Sequence, residues 1–203
     1  MNASSGECSL INDVTLSRFK QFLGTSINDG YTRHRICKSL KRSRTSLYTV
    51  LTAKNLFDKT KRYLPGYIEK IEKGSLSDVD RFISSRKKME LEKILGNEYL
   101  LFIGCTIISS KIYMDLSYTN FSWIEVCHHG VDQINVAERQ ILQVLDYDVN
   151  LQWIELKKMY DEFGAVPNEV LTGQVEVKRR KGFFKWAFGS LFRLISCVDA
   201  MNK

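Results

Sequence analysis

The segment YLLFIGCTIISSKIYMDLSYTNFSWIEVCHHGVDQINVAERQILQVLDYDVNL, residues 99–151, decides the fold of this chain. Its pattern predicts three consecutive helices, of which the first spans about residues 97–114 and the third about residues 132–146. The first helix is apolar on nearly every side, which is typical of a helix enclosed by other helices. The third is amphipathic, with apolar residues at three- and four-residue spacing. We therefore expect the rest of the chain to pack around these helices.

Each of the two longer helices carries one charged residue among its apolar positions. Lys111 falls within the apolar run of the first, and Glu138 shares one stripe of the third with Ile134, Ile141 and Leu145. A buried ammonium without a partner is costly, so the pattern predicts that Lys111 and Glu138 pair across the packed helices. The alternative is that Lys111 ends its helix and extends its ammonium into water. Such an ion pair is poor evidence for stability and better evidence for a function.

Several motifs of this segment resemble the second half of a cyclin box in order and spacing. ISSK at residues 108–111 resembles the (A/S)SK end of the third cyclin helix, and NVAERQILQVLDYDV at 135–149 resembles the fifth. MDLSYTNFSWIEV at 114–126 is similar to the DxxYSNxxWxxΦ pattern of the Pcl/Pho80-like fungal cyclins, with plant P-type cyclins as cousins. TSLYTVLTAKNLFDKTKRYL at 45–64 resembles the second cyclin helix, but the M-R-x-x-L-x-x-W signature of many first helices is missing, as in that group generally.

The resemblance implies an all-α fold, a single five-helix cyclin box with added N-terminal and C-terminal helices. It implies a non-enzymatic regulatory subunit that binds and activates a cyclin-dependent, Pho85-like protein kinase. In cyclins, the residues that match Lys111 and Glu138 bind main-chain groups at the start of the kinase C helix. We expect Ile107, Ile108 and Ile141 to add apolar contact area beside them.

The loop between the two longer helices contributes a structural motif. The residues that match the family pattern are Tyr118, Asn120 and Trp123. We expect them to brace the box and not to contact the kinase. Two alternatives to the kinase subunit stay open. One is a cyclin-fold scaffold that binds no kinase, and the other is a membrane-surface adaptor that acts through the C-terminal tail.

Runs of charged residues and helix-ending Gly and Pro residues divide the chain into three parts. Residues 1–30 hold an N-terminal helix, at about 12–24, and a linker; residues 31–150 are the box; residues 151–203 hold C-terminal helices and a basic aromatic tail. Pro65 and Gly66 should end the second box helix, and a charged insertion follows at 66–96. The expected helices of the insertion and of the third part are as follows. Residues 78–95 should cover the domain with Val79, Phe82, Ile83, Met89 and Ile94, with a flexible excursion as an equal alternative. Residues 151–163 should do so with Ile154, Met159, Tyr160 and Phe163.

Composition excludes several classes of protein. The chain has 203 residues, 44% of them apolar, and lacks an uncharged apolar run long enough for a membrane span. Its 5 cysteines are odd in number and form no C-x-x-C pair. Residues 1–14 do not resemble a secretory signal. We therefore expect a chain with reduced cysteines in the cytoplasm or nucleus. No phosphate-binding, kinase, protease or hydrolase motif is present, so we expect no enzyme, cofactor or small-molecule substrate. Cys127, His128 and His129 are adjacent, but surface histidines beside a core cysteine explain them better than a metal site.

Two basic segments give the chain its net charge of +7. Residues 31–46 contain six Lys or Arg and no acid, which suits a nuclear import signal, an anion or phosphate-recognition patch, or a solvated helix face; the last is favoured. Residues 178–203 combine seven Lys or Arg with aromatic side chains. The candidate anion or membrane patch is Lys178, Arg179, Arg180, Lys181 and Lys185. Docking of this tail on the box is favoured over membrane contact, and nucleic acid is a weaker third option.

Overall fold

The computed structural model describes residues 12–73, 78–114 and 117–166. These ranges contain eight α-helices and one short 3-10 helix, Leu23–Thr25, and no strand. The α-helices are α1 (Asp13–Phe22), α2 (Gly30–Ser43), α3 (Leu47–Lys73), α4 (Asp78–Leu95), α5 (Glu98–Tyr113), α6 (Trp123–Cys127), α7 (Val131–Val144) and α8 (Trp153–Ala165). The expected all-α class is confirmed for the described residues. None of these helices is long and apolar enough to cross a membrane.

The central element is α5, which is buried at every position from Tyr99 to Ser110. It packs against α2, α3, α4 and α7. It begins after Asn97, whose side-chain oxygen accepts a hydrogen bond from the backbone N–H of Leu100 at 3.2 Å. It ends where Met114 adopts an extended backbone. The sequence prediction of an enclosed helix over residues 97–114 is therefore confirmed.

A close crossing joins α5 to α7 at Gly104. A Cβ atom added to Gly104 would lie 2.5 Å from Cδ1 of Ile141 and 3.8 Å from Cβ of Ala137. Contacts under about 3.0 Å are not tolerated without movement of one partner. The two helices can approach this closely because position 104 has no side chain.

The N-terminal helix α1 packs on the core through an aromatic cluster. The side chain of Asn12 caps it by accepting a hydrogen bond from the N–H of Thr15 at 2.8 Å. Phe19, which is fully buried, lies 6.1 Å from the ring of Phe102 on α5 and 6.4 Å from that of Phe163 on α8. The first and last described helices are thus held against the centre of the domain.

The prediction that α3 ends at Pro65 and Gly66 is wrong, because α3 continues through both residues to Lys73. A proline in a helix removes one backbone hydrogen bond and costs about 3 kcal/mol. Beyond Pro65, however, Tyr67 and Ile71 pack against the core, and α4 packs along α3. These tertiary contacts offset the local cost.

The insertion forms α4 as expected, but with a different face against the domain. Phe82 and Met89 are 71% and 68% exposed, and Ile83 is exposed too, whereas Leu91 and Leu95 are buried. Nine residues are two and a half helical turns, so Leu91 lies on the face opposite Phe82. Ile94 is partly buried, and the side chain of Val79 lies outside the described part of the chain. The expectation that Phe82, Ile83 and Met89 cover the domain is therefore wrong.

The last described helix, α8, confirms three of its four expected inward positions. Met159 and Phe163 are buried, and Tyr160 is partly buried against the core. Ile154 is 75% exposed, so its expected inward position is wrong. Nine residues separate Ile154 from Phe163, which again places the two on opposite faces of the helix.

Candidate functional site

An ion pair joins the end of α5 to the middle of α7. The Nζ atom of Lys111 lies 2.6 Å from Oε1 and 2.8 Å from Oε2 of Glu138, so the ammonium donates to both carboxylate oxygens. The helices that carry the two residues pack directly against each other. The predicted contact between Lys111 and Glu138 is therefore present.

The pair lies at the surface and not in the interior. The side chain of Lys111 is 38% exposed and that of Glu138 is 15% exposed. Lys111 is the first exposed residue after the buried run of α5 ends at Ser110. The expectation of a buried ammonium at Lys111 is wrong, because the helix leaves the core one residue before it. Both sequence interpretations hold in part: Lys111 reaches solvent and is also bound by Glu138.

Asn120 holds the carboxylate of Glu138 from the other side. Its Nδ2 atom donates to Oε2 of Glu138 at 2.6 Å and to Oδ1 of Asn135 at 2.7 Å. Asn135 precedes Glu138 by three residues and so lies on the same face of α7. The carboxylate is thus fixed between an ammonium and an amide. Sequence reasoning assigned Asn120 a bracing role but missed this bond, because no local pattern links a loop residue to a helix 18 positions later.

The other two residues of the loop motif lie at the edge of the core. Trp123 begins α6 and is 1% exposed. The ring of Tyr118 meets it edge to face, with 6.4 Å between ring centroids. Tyr118 itself is 45% exposed. The burial of Trp123 and the two bonds of Asn120 accord with the expectation that this loop braces the domain.

The apolar residues expected beside the ion pair are not available to a partner. Ile107 and Ile141 are fully buried, and Ile108 is 3% exposed. Ile141 packs from α7 against Gly104 of α5, and Ile107 and Ile108 belong to the enclosed run of α5. The expectation that these three side chains contact a partner is therefore wrong. The exposed apolar side chains nearest in sequence to Lys111 and Asn120 are Ile112 and Phe121.

The most buried lysine of the described residues is Lys54 on α3, which the sequence analysis did not single out. It is 5% exposed. Its ammonium donates to Asp58 at 2.7 Å and to the hydroxyl of Ser26 at 3.1 Å, and lies 4.6 Å from the ring of Phe22. The signal was its position on the inward stripe of α3 with Val50 and Phe57. Its charge is satisfied locally, so it fastens α3 to the N-terminal helices.

The side chains of the Cys127-His128-His129 run are each engaged in local contacts. Within the described residues no group of three His, Cys, Asp or Glu side chains could hold a metal ion. Cys127 is buried and donates to the carbonyl of Trp123 at 3.1 Å, while His128 meets Arg42 and His129 meets Gln133. Burial raises the pKa of the Cys127 thiol, so this cysteine is not poised as a nucleophile.

The five residues of the candidate tail patch lie outside the described residues; they are Lys178, Arg179, Arg180, Lys181 and Lys185.

Comparison with protein-family models, curated proteins and solved structures found no match. The resemblance to cyclins therefore rests on the motifs in the sequence. The geometry of the ion pair is a separate observation.

The ion pair retains hydrogen-bonding capacity for a partner. An ammonium has three donors, and Lys111 directs two of them to Glu138 within the described part of the chain. Each carboxylate oxygen can accept two hydrogen bonds, and Oε1 of Glu138 accepts one there. One donor and one acceptor thus remain on a rigid support. A main-chain carbonyl and a main-chain N–H of another protein match this pair of groups.

Proposed function

We propose that this protein is a non-enzymatic regulatory subunit that binds a cyclin-dependent protein kinase and activates it by packing against the kinase C helix. The observation that carries the proposal is the partly exposed Lys111–Glu138 pair, held in place by Asn120. Its free acceptor suits a main-chain N–H at the start of a helix, which lacks a partner within that helix, and its free donor suits a main-chain carbonyl of the segment that leads into the helix. Ile112 and Phe121, which are 42% and 73% exposed, provide apolar area nearby.

The mechanism is a shift between two positions of the kinase helix. A protein kinase is active when the Lys of its third strand pairs with the Glu of its C helix. A rigid surface that binds only the inward position of that helix stabilises the active form. To move the kinase from 1% to 99% active, the surface must bind the inward position about 10⁴-fold more tightly, or by about 5.5 kcal/mol. In this mechanism the fixed ion pair and its apolar neighbours supply that difference.

Affinity purification with mass spectrometry tests the proposal. The wild-type chain should retain a protein kinase in stoichiometric amount. Lys111→Ala and Glu138→Ala should lose most of it, because each leaves one charge of the contact without its partner. Circular dichroism should show the same helix content in all variants, since a half-exposed ion pair contributes little to stability.

Lys61→Ala is the matched control. Lys61 pairs with Glu98 at 2.6 Å, and the two side chains are 41% and 32% exposed, so this pair resembles the proposed contact in length and exposure. The control should retain the kinase. If no kinase is retained by the wild-type chain, or if Lys111→Ala and Lys61→Ala retain it equally, the proposal is wrong.

A further inference from the structure

One face of α2 carries a row of cationic and aromatic side chains. Tyr31, Arg35, Lys38 and Arg42 are spaced by four, three and four residues, so they form a single stripe. This stripe is one wall of a surface cavity of about 440 Å³. The opposite wall includes Tyr99 at the start of α5 and His128 at the end of α6. The volume lies in the range of ligand-binding pockets, about 300–1,000 Å³.

The positive charge of this cavity is not neutralised by nearby acids. No Asp or Glu lines it, and no ion pair of Arg35, Lys38 or Arg42 occurs among the described residues. The next basic residue, Lys41, is on another side of α2, where it pairs with Asp13 at 2.6 Å. The cluster is therefore a local excess of positive charge and not a uniformly basic helix.

Two of the cations are held in fixed positions by their neighbours. The guanidinium carbon of Arg35 lies 3.9 Å from the centre of the Tyr99 ring and 5.9 Å from that of Tyr31. Stacking on a ring face leaves the N–H groups at the edges of the guanidinium available. Arg42 donates from Nη1 to Nε2 of His128 at 2.7 Å.

Hydrogen bonds hold the Tyr99 and Ser39 hydroxyls of the cavity lining in place. The Tyr99 hydroxyl lies 2.8 Å from the Ser39 hydroxyl and donates to the carbonyl of Cys127 at 3.2 Å. The Ser39 hydroxyl also lies 3.2 Å from the carbonyl oxygen of Val126, and its single proton serves either this carbonyl or the Tyr99 hydroxyl. These bonds join α2, α5 and the end of α6. The cations therefore stand on a rigid base, which lowers the entropic cost of binding a ligand.

We propose that this cavity binds the phosphate group of a phosphorylated serine or threonine side chain in a partner protein. A phosphate ester brings a charge of about −1.5 to −2 and three strong acceptor oxygens. Arginine binds such a group through two parallel hydrogen bonds, and a lysine adds a point charge. The cavity is larger than a phosphate group, so residues that flank the phosphorylated one also fit. A nucleic acid would need a longer track of unneutralised cations than this single stripe provides.

Peptide binding to the 203-residue chain, with no kinase added, tests this site. The probes are two fluorescent decapeptide libraries of random sequence, one with a central phosphoserine and one with serine. Fluorescence anisotropy should show binding of the phosphoserine library alone. Lys38→Gln should weaken it about tenfold, the effect of one lost hydrogen bond to a charged group. Lys41→Gln is the matched control, because it removes the same charge from the same helix, and it should change binding less than twofold.

Four results would overturn the inference. The first two are that both libraries bind equally, and that Lys38→Gln and Lys41→Gln have equal effects. The third is that inorganic phosphate competes as strongly as unlabelled phosphoserine peptide. The fourth is that the chain binds phosphatidylserine vesicles in place of peptide, in a way that depends on Lys38. The last two would assign the cavity to a free anion and to a lipid surface, respectively. The site is separate from the Lys111–Glu138 pair, and the assay contains no kinase. Failure here therefore leaves the proposed kinase binding standing, and failure of kinase binding leaves this site standing.

Discussion

The crossing of α5 and α7 at Gly104 makes a quantitative prediction about the scaffold that brings Lys111 to Glu138. In Gly104→Ala, the new methyl group would lie 2.5 Å from Cδ1 of Ile141, whereas ordinary contacts are 3.4–4 Å. Either the Ile141 side chain or the helix must move by about 1 Å. Ile141→Val removes that Cδ1 atom and no other. The two substitutions together therefore test whether this one contact sets the helix spacing.

The expected free energies follow from the same geometry. Overpacking in Gly104→Ala costs about 1–3 kcal/mol, and the better helix propensity of alanine returns about 1 kcal/mol, so the net loss is about 1 kcal/mol. Ile141→Val alone costs about 1 kcal/mol through the lost methyl group. In the double variant the added methyl occupies the vacated space, so its stability should approach that of the wild type. Additive effects would give a loss of about 2 kcal/mol, so the coupling energy is about 2 kcal/mol.

Urea unfolding followed by circular dichroism measures all four free energies of the cycle. The dependence of the free energy of unfolding on urea should be the same for each variant, because the surface exposed on unfolding hardly changes. A coupling energy below about 0.5 kcal/mol is within the range of independent sites. That result would refute the close crossing of α5 and α7 at Gly104.

Three further predictions concern other parts of the domain. Pro65→Ala should raise the free energy of unfolding by about 2 kcal/mol, because it restores a helical N–H, and its unfolding midpoint in urea should rise; an unchanged midpoint would argue that α3 is not continuous there. Asn120→Ala should cost about 1 kcal/mol and weaken kinase retention less than Lys111→Ala does, since it loosens the carboxylate but leaves both charges; equal losses of retention would contradict this order. Burial raises the pKa of Cys37 from 9.0 to about 11, so the folded chain holds this proton more tightly than the unfolded chain. The stability that this group contributes is complete below pH 9 and is lost as pH rises to about 11. Urea unfolding between these pH values should show that the free energy of unfolding falls less steeply in Cys37→Ala than in the wild type, by up to about 1.4 kcal/mol per pH unit. Equal slopes for the two chains would contradict the raised pKa.

The sequence determines helix extents well where capping and periodicity agree. Residues 97–114 were predicted for α5 because Asn97 can cap the helix and the apolar run is continuous, and Asn97 does cap it. The helix in the insertion was predicted over residues 78–95 on length and pattern, and α4 has these bounds. The end of α3 was predicted wrongly from Pro65. A proline expresses a local preference, and the packing that overrides it comes from residues distant in sequence.

The direction in which an apolar side chain points is harder to predict. Phe82 and Ile154 are apolar residues near helix starts, yet both are exposed. Which face of a helix packs inward depends on where its neighbours lie, and hydrophobicity alone does not give that. The same limit explains the error at Ile107 and Ile108 of α5. A helix apolar on all sides gives no signal of the face that a partner could reach.

The candidate site was predictable only in part. Lys111 and Glu138 stand out because each is a lone charge in an apolar pattern, and they do meet. Asn120 and the cavity beside α2 do not stand out. The cavity brings together Ser39 with Tyr99, 60 residues apart, and Arg42 with His128, 86 residues apart. Such clusters exist only once the helices are packed.

The dissociation constant for the kinase that co-purifies tests the central claim most directly. It should be measured with purified kinase and the wild-type, Lys111→Ala and Lys61→Ala chains. Removing one partner of a hydrogen-bonded charge pair in an interface costs about 2–5 kcal/mol, so Lys111→Ala should weaken binding by about thirtyfold or more. Lys61→Ala should change it by less than about twofold. Equal affinities for the two variants, with helix content unchanged, would contradict the claim that a kinase is bound at the Lys111–Glu138 pair.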